Sequence, residues 1–152
     1  MLRLAAGLAL LALIPAACAH PGSQDYRGQT SRPADAAARA LAAQVAAWNG
    51  GRLEDALSAY CDDPRITWVN RSGLTRGFAD FAAGMRSGFA DPATMGLMAV
   101  EVLDMRAAGP QAALVTLKWS ITRDGKRLMG GISTQLWEPC AGELRIVFEH
   151  AS

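Results

Sequence analysis

The sequence predicts an α+β domain in which three N-terminal helices precede a run of long antiparallel strands. Three observations predict it. Apolar residues recur at helical spacing up to about residue 89, then alternate with polar residues from about residue 96 onward. Asp124-Gly125, between two alternating stretches, is a hairpin turn signal. The last nine residues, 144–152, also alternate, with Leu144, Ile146, Phe148 and His150 on one face.

In chain order, residues 34–49 form the first helix, with Leu41, Val45 and Trp48 on its buried stripe and Gly50-Gly51 as its stop. Residues 53–60 form a second, with Leu53, Ala56, Leu57 and Tyr60 inward, broken by Asp62-Asp63-Pro64. A short hairpin, residues 65–69 and 74–76, leads into a third helix at 78–89, which Asp91-Pro92 ends. Strands then follow at 96–106, 112–122, 128–138 and 144–152. Gly130-Gly131, inside a strand, marks a bulge or bend. An unbroken count from the turn pairs Leu117 with Ile132 and Val115 with Thr134. Matching apolar faces across the next hairpin pairs Leu136 with Ile146, Thr134 with Phe148 and Ile132 with His150. One face then carries Val115, Leu117, Trp119, Ile132, Thr134, Leu136, Ile146, Phe148 and His150. The other carries Ser133, Gln135, Trp137 and Glu149, with Glu149 near Lys118.

The chain's 152 residues suffice for one domain with a real core. Net charge is +1 with no basic block, which argues against a nucleic-acid partner. Residues 1–19 read as a secretory signal: Arg3, an apolar run from Leu4 to Ile14, then small residues. Ala17-Cys18-Ala19 fits an ordinary signal-peptidase site, and Ala16-Ala17-Cys18 fits a lipoprotein signal that lipidates Cys18. The protein is then exported, periplasmic or held at the cell envelope, with membrane contact only through the lipid. Residues 20–33 form a flexible tether and residues 34–152 the domain. Cys61 and Cys140 remain as an even pair, either one disulfide or two buried thiols.

Three stretches carry a family resemblance. They are Ala47-Trp48-Asn49-Gly50-Gly51-Arg52-Leu53-Glu54, Tyr60-Cys61-Asp62-Asp63 and the ending Leu144–Ser152. In these, residues 36–152 resemble the nuclear-transport-factor-two-like superfamily, and most nearly its SnoaL-like branch of unknown function. Arg52 stands where that pattern has Asp, Leu144 where it has Trp, and Phe148 where it has His. The resemblance implies a curved mixed sheet wrapped against the three helices into a cone with an internal pocket, and a homodimer through the outer sheet face. It also brings in enzymes such as ketosteroid isomerase. The isomerase's catalytic Asp and oxyanion Tyr correspond to Trp68 and Gln44 here, so that pair is missing.

The expected pocket residues are Trp48, Tyr60, Trp68, Trp119, Thr134, Phe148 and His150. The aromatics suit a small hydrophobic or aromatic molecule. His150 is the candidate catalytic group, since an imidazole in an apolar cavity can act as a base. With two histidines, one of them in the tether, no metal-ligand spacing arises and no cofactor is expected. Three readings follow: a binding protein, an enzyme of isomerase, cyclase or hydrolase type using His150, and a dimeric interaction module without ligand.

Overall fold

Helix α1 (Arg32–Asn49) lies across the concave face of a six-stranded sheet, packed on its third, fourth and sixth strands. The structure is a computed structural model and describes residues 32–152. The signal at 1–19, Cys18 and nearly all of the tether lie outside the described residues. α1 starts at Arg32, with Pro33 in its first turn, where the missing N–H costs nothing. Of its expected stripe, Leu41 and Trp48 are buried and Val45 is half-buried; Ala37, one turn before Leu41, is buried as well.

α2 (Leu53–Leu57) is shorter than its pattern. The chain leaves it to pair Tyr60 with Ile146 in an isolated parallel bridge. There the Cys61 N–H donates to the Ile146 carbonyl at 2.9 Å, and the Ile146 N–H donates to the Ala59 carbonyl at 2.8 Å. β1 (Thr67–Asn70) and β2 (Gly73–Arg76) form the short hairpin, and α3 (Phe78–Phe89) follows. A one-turn α4 (Pro92–Met95) is additional to the three expected helices. Asp91 caps it by accepting from the Ala93 N–H at 2.9 Å, and Pro92 opens it. The residues that end α3 therefore also start α4.

β3 (Leu97–Ala107), β4 (Ala113–Arg123), β5 (Lys126–Cys140) and β6 (Glu143–Ala151) complete the sheet in the order β2-β1-β6-β5-β4-β3. Only β1 and β6 pair in parallel, so the sheet is mixed, as the fold class requires. Asp124 and Gly125 have φ of 52° and 72°, the type I′ geometry that matches strand twist. Cys61 and Cys140 are bonded, with Cα atoms 5.8 Å apart. The bond ties the α2–β1 connection to the end of β5.

The register departs from the unbroken count at two bulges. Arg123 pairs with Lys126 and Thr122 with Arg127, but Ile121 pairs with Met129, leaving Leu128 unpaired. Leu117 then faces Ser133, and Val115 faces Gln135, in place of Ile132 and Thr134. On β6, Trp137 pairs with Ile146 but Leu136 with Phe148, leaving Val147 as the extra residue. Each bulge shifts the pairing by one residue, and a shift of one exchanges the faces.

The exchange reverses several expectations. Ser133, Gln135, Trp137 and Glu149 point inward and are buried, whereas Ile132, Thr134, Leu136, Phe148 and His150 point outward. Trp137 is fully buried among Leu41, Val115 and Ile146, a burial contributing roughly 2–3 kcal/mol. The expected inward set on β4, Val115, Leu117 and Trp119, is inward, because no bulge precedes it on that strand.

Candidate functional site

The cone encloses a cavity of about 340 Å³. α1 supplies Leu41, Gln44 and Trp48, three positions that the helical repeat places on one face. α3 supplies Phe81, Met85 and Phe89 by the same spacing of four. β1 gives Trp68, and the sheet floor gives Val100, Leu117, Trp119 and Ile121. The rings pack on one another: Tyr60 and Phe81 centroids are 4.5 Å apart, Trp68 and Phe81 5.3 Å, Trp48 and Phe89 4.9 Å. Asn70 and Arg71, from the β1–β2 turn, contribute to the cavity lining near solvent.

Within these apolar walls sits a polar cluster. The Tyr60 hydroxyl donates to Glu149 Oε2 at 2.5 Å. The bridge to Ile146 places Tyr60, and the Val147 bulge turns Glu149 inward. Burial pushes the Tyr60 phenol well above its ordinary value, and the charge and hydrogen bond of Glu149 push it the same way; the Gln44 amide at the phenol oxygen opposes them. Tyr60 is therefore a neutral donor at physiological pH. Gln135 and Ser133 are buried beside this pair, and Gln135 Oε1 accepts from the Trp137 indole at 3.1 Å. The indole N–H groups of Trp48 and Trp119 have no acceptor.

A titration consequence follows. A tyrosine pKa raised by folding leaves stability intact below the unfolded value near 10 and removes it as pH rises toward the folded value. The chain has two tyrosines, Tyr26 and Tyr60. In an alkaline titration past pH ~10 followed by tyrosinate absorbance, the Tyr60 step is the one that Tyr60→Phe removes. Tyr60 should ionise only together with loss of the folded circular-dichroism signal. That step appearing near pH ~10 in a still-folded protein would contradict the placement.

Of the seven expected pocket residues, Trp48, Tyr60, Trp68 and Trp119 line the cavity. Thr134, Phe148 and His150 do not: the Val147 bulge puts Phe148 and His150 on the outer face, and Thr134 pairs with His150 there. His150 is exposed, so the catalytic role expected for it inside the cavity has no geometric basis. Glu149, expected outside near Lys118, is instead the buried acid. Counting through the outer-face alternation hides Glu149, Gln135 and Ser133. Gly130-Gly131, read as the mark of one extra residue nearby on β5, is the signal that brings Gln135 and Ser133 inward. Among the described residues no three of His, Cys, Asp and Glu converge as metal ligands, and no helix is long and apolar enough to cross a membrane.

No protein-family model matches the chain, and no curated protein matches it in sequence. Solved structures do share its fold. An NTF-2 like protein of unknown function from Shewanella oneidensis MR-1 superposes with a TM-score of 0.74 at 22% identity, over 79% of this chain and 98% of that one. A domain of unknown function with a cystatin-like fold from Nostoc punctiforme gives 0.67 at 16% identity, covering 82% of this chain and 78% of that one. A putative calcium/calmodulin-dependent protein kinase type II association domain from Thiobacillus denitrificans gives 0.63 at 22%, covering 74% and 90%. The chain has the NTF2-like, cystatin-like cone fold, on which function differs from branch to branch.

Proposed function

We propose that the protein is an exported binding protein for a small, largely apolar or aromatic molecule held in the cone. The observation that carries this is the cavity itself: aromatic walls around a buried carboxylate–phenol pair. A few convergent polar groups in an apolar cavity fix a ligand's orientation while the walls supply affinity. Export draws support from the Cys61–Cys140 bond, which persists in an oxidising compartment, and from residues 1–19. Cys18 is the proposed lipid attachment site and the only proposed membrane contact. Binding is favoured over catalysis because, among the described residues, Glu149 and the rim residue Arg71 are the only ones in the lining with acidic and basic side chains.

A homodimer through the outer sheet face belongs to the same proposal. The bulges send Ile132, Leu136 and Phe148 outward, and Ile132 is 48% exposed. An apolar strand face of this kind fits a second copy of the same face.

Two measurements test the reading. Native mass spectrometry of protein matured in a bacterial envelope is expected to show a dimer carrying a small molecule and a diacylglycerol adduct on Cys18. Calorimetric titration with naphthylethanol is expected to saturate, with affinity falling about tenfold in Trp119→Ala (about 1.4 kcal/mol). An empty protein that also fails to bind naphthylethanol would overturn the binding reading.

A further inference from the structure

We propose that the ligand is an organic cation: a protonated amine or quaternary ammonium on an apolar body, its positive end at Glu149. The inference rests on the binding reading above and names its substrate class.

Charge balance carries it first. Glu149 is 6% exposed and, among the described residues, is the only one in the lining with an acidic side chain. None of the ion pairs among the described residues involves it. Its one hydrogen-bonding side-chain partner is the neutral Tyr60 hydroxyl. A carboxylate has about four acceptor positions, so one phenol leaves most of them open. An isolated buried charge is unfavourable by several kcal/mol unless paired, and a cation entering the cavity would complete the pair.

The walls carry it second. Trp68 is the register partner of Glu149 on the neighbouring parallel strand, and its side chain lines the same cavity. Phe81 joins the two rings: its centroid lies 5.3 Å from that of Trp68 and 4.5 Å from that of Tyr60, whose hydroxyl is hydrogen-bonded to Glu149. Aromatic faces attract an ammonium group, most strongly where water is excluded. A carboxylate beside Trp68 and Tyr60, with Phe81 packed on both rings, is therefore complementary to a cation and repels an anion. Arg71 opposes this only from the exposed rim, where water screens it.

The test uses three probes of one shape on the full mature protein at neutral pH: naphthylethylamine, naphthylethanol and naphthylacetate. The amine is expected to bind at least about tenfold tighter than the alcohol, and the acetate weakest. Glu149→Gln should bring the amine down to the affinity of the alcohol. If that variant does not fold, Trp68→Leu gives a second reading, since it should weaken the amine more than the alcohol. Equal affinities for amine and alcohol, or a preference for the acetate, would overturn the cation assignment while leaving a small-molecule site. Failure of all three probes would overturn both it and the reading beneath it.

Discussion

Opening the Cys61–Cys140 disulfide is expected to lower the stability of the domain by about 4 kcal/mol, the largest single effect anticipated here. The bond closes a segment 79 residues apart in sequence. Closing so long a loop removes many conformations from the unfolded chain, and the effect grows with the logarithm of loop length. Urea unfolding of a Cys61→Ala, Cys140→Ala double variant is the measurement. The midpoint should fall with little change of slope in the native baseline, and a loss under about 1 kcal/mol would mean the loop is already constrained in the unfolded state. The bond also has a local role. Cys61 follows Tyr60 directly, so freeing it loosens the segment that aims the phenol at Glu149. Affinity for naphthylethylamine should fall together with stability in the double variant.

Gly131→Ala is the second large effect. A Cβ at this position would lie 1.6 Å from the backbone oxygen of Ser152. That oxygen cannot swing away, because Ser152 and Ile132 exchange two backbone hydrogen bonds, at 2.9 and 3.1 Å. Relief therefore requires parting β5 from the end of β6, which also carries Glu149. The expected destabilisation is about 3 kcal/mol, read as a drop in melting temperature of roughly 10 °C. Gly84→Ala is the control. It sits within α3 with open space around a new Cβ, and should be neutral or stabilising by about 0.5–1 kcal/mol. A melting temperature for Gly131→Ala equal to that of Gly84→Ala would refute the close approach.

The helices, the strands and four of the cavity aromatics are legible in the sequence because helical spacing and alternation are local signals. Leu41, Trp48, Val115, Leu117 and Trp119 fall where their own segments place them. The floor of the cavity is not legible in this way. Which face of β5 and β6 is buried depends on residue counts across two hairpins, and each bulge breaks the count once. The first bulge lies near Gly130-Gly131, a pair whose presence inside a strand hints at it. The second, at Val147, involves a β-branched residue with no such mark. Both β5 and β6 also carry apolar residues on each face: Trp137 and Ile146 on one, Leu136 and Phe148 on the other. Alternation then cannot tell inside from outside, and His150 and Glu149 exchange roles.

The two bulges also make cavity chemistry a matter of strand register as well as of side-chain identity. Drawing Leu128 into the ladder at unchanged chain length would restore the unbroken count on β5. Ile132, Thr134 and Leu136 would then replace Ser133, Gln135 and Trp137 beneath the helices. Deleting Leu128 would instead close the bulge and leave Ser133 opposite Leu117. A one-residue slip would thus convert a hydrogen-bonding floor into a largely aliphatic one and carry the polar set to the outer surface. Point substitution would need several separate events to do the same. In this architecture the bulges are where ligand preference changes in large steps, whereas the helices and the aromatic walls they bring stay in place.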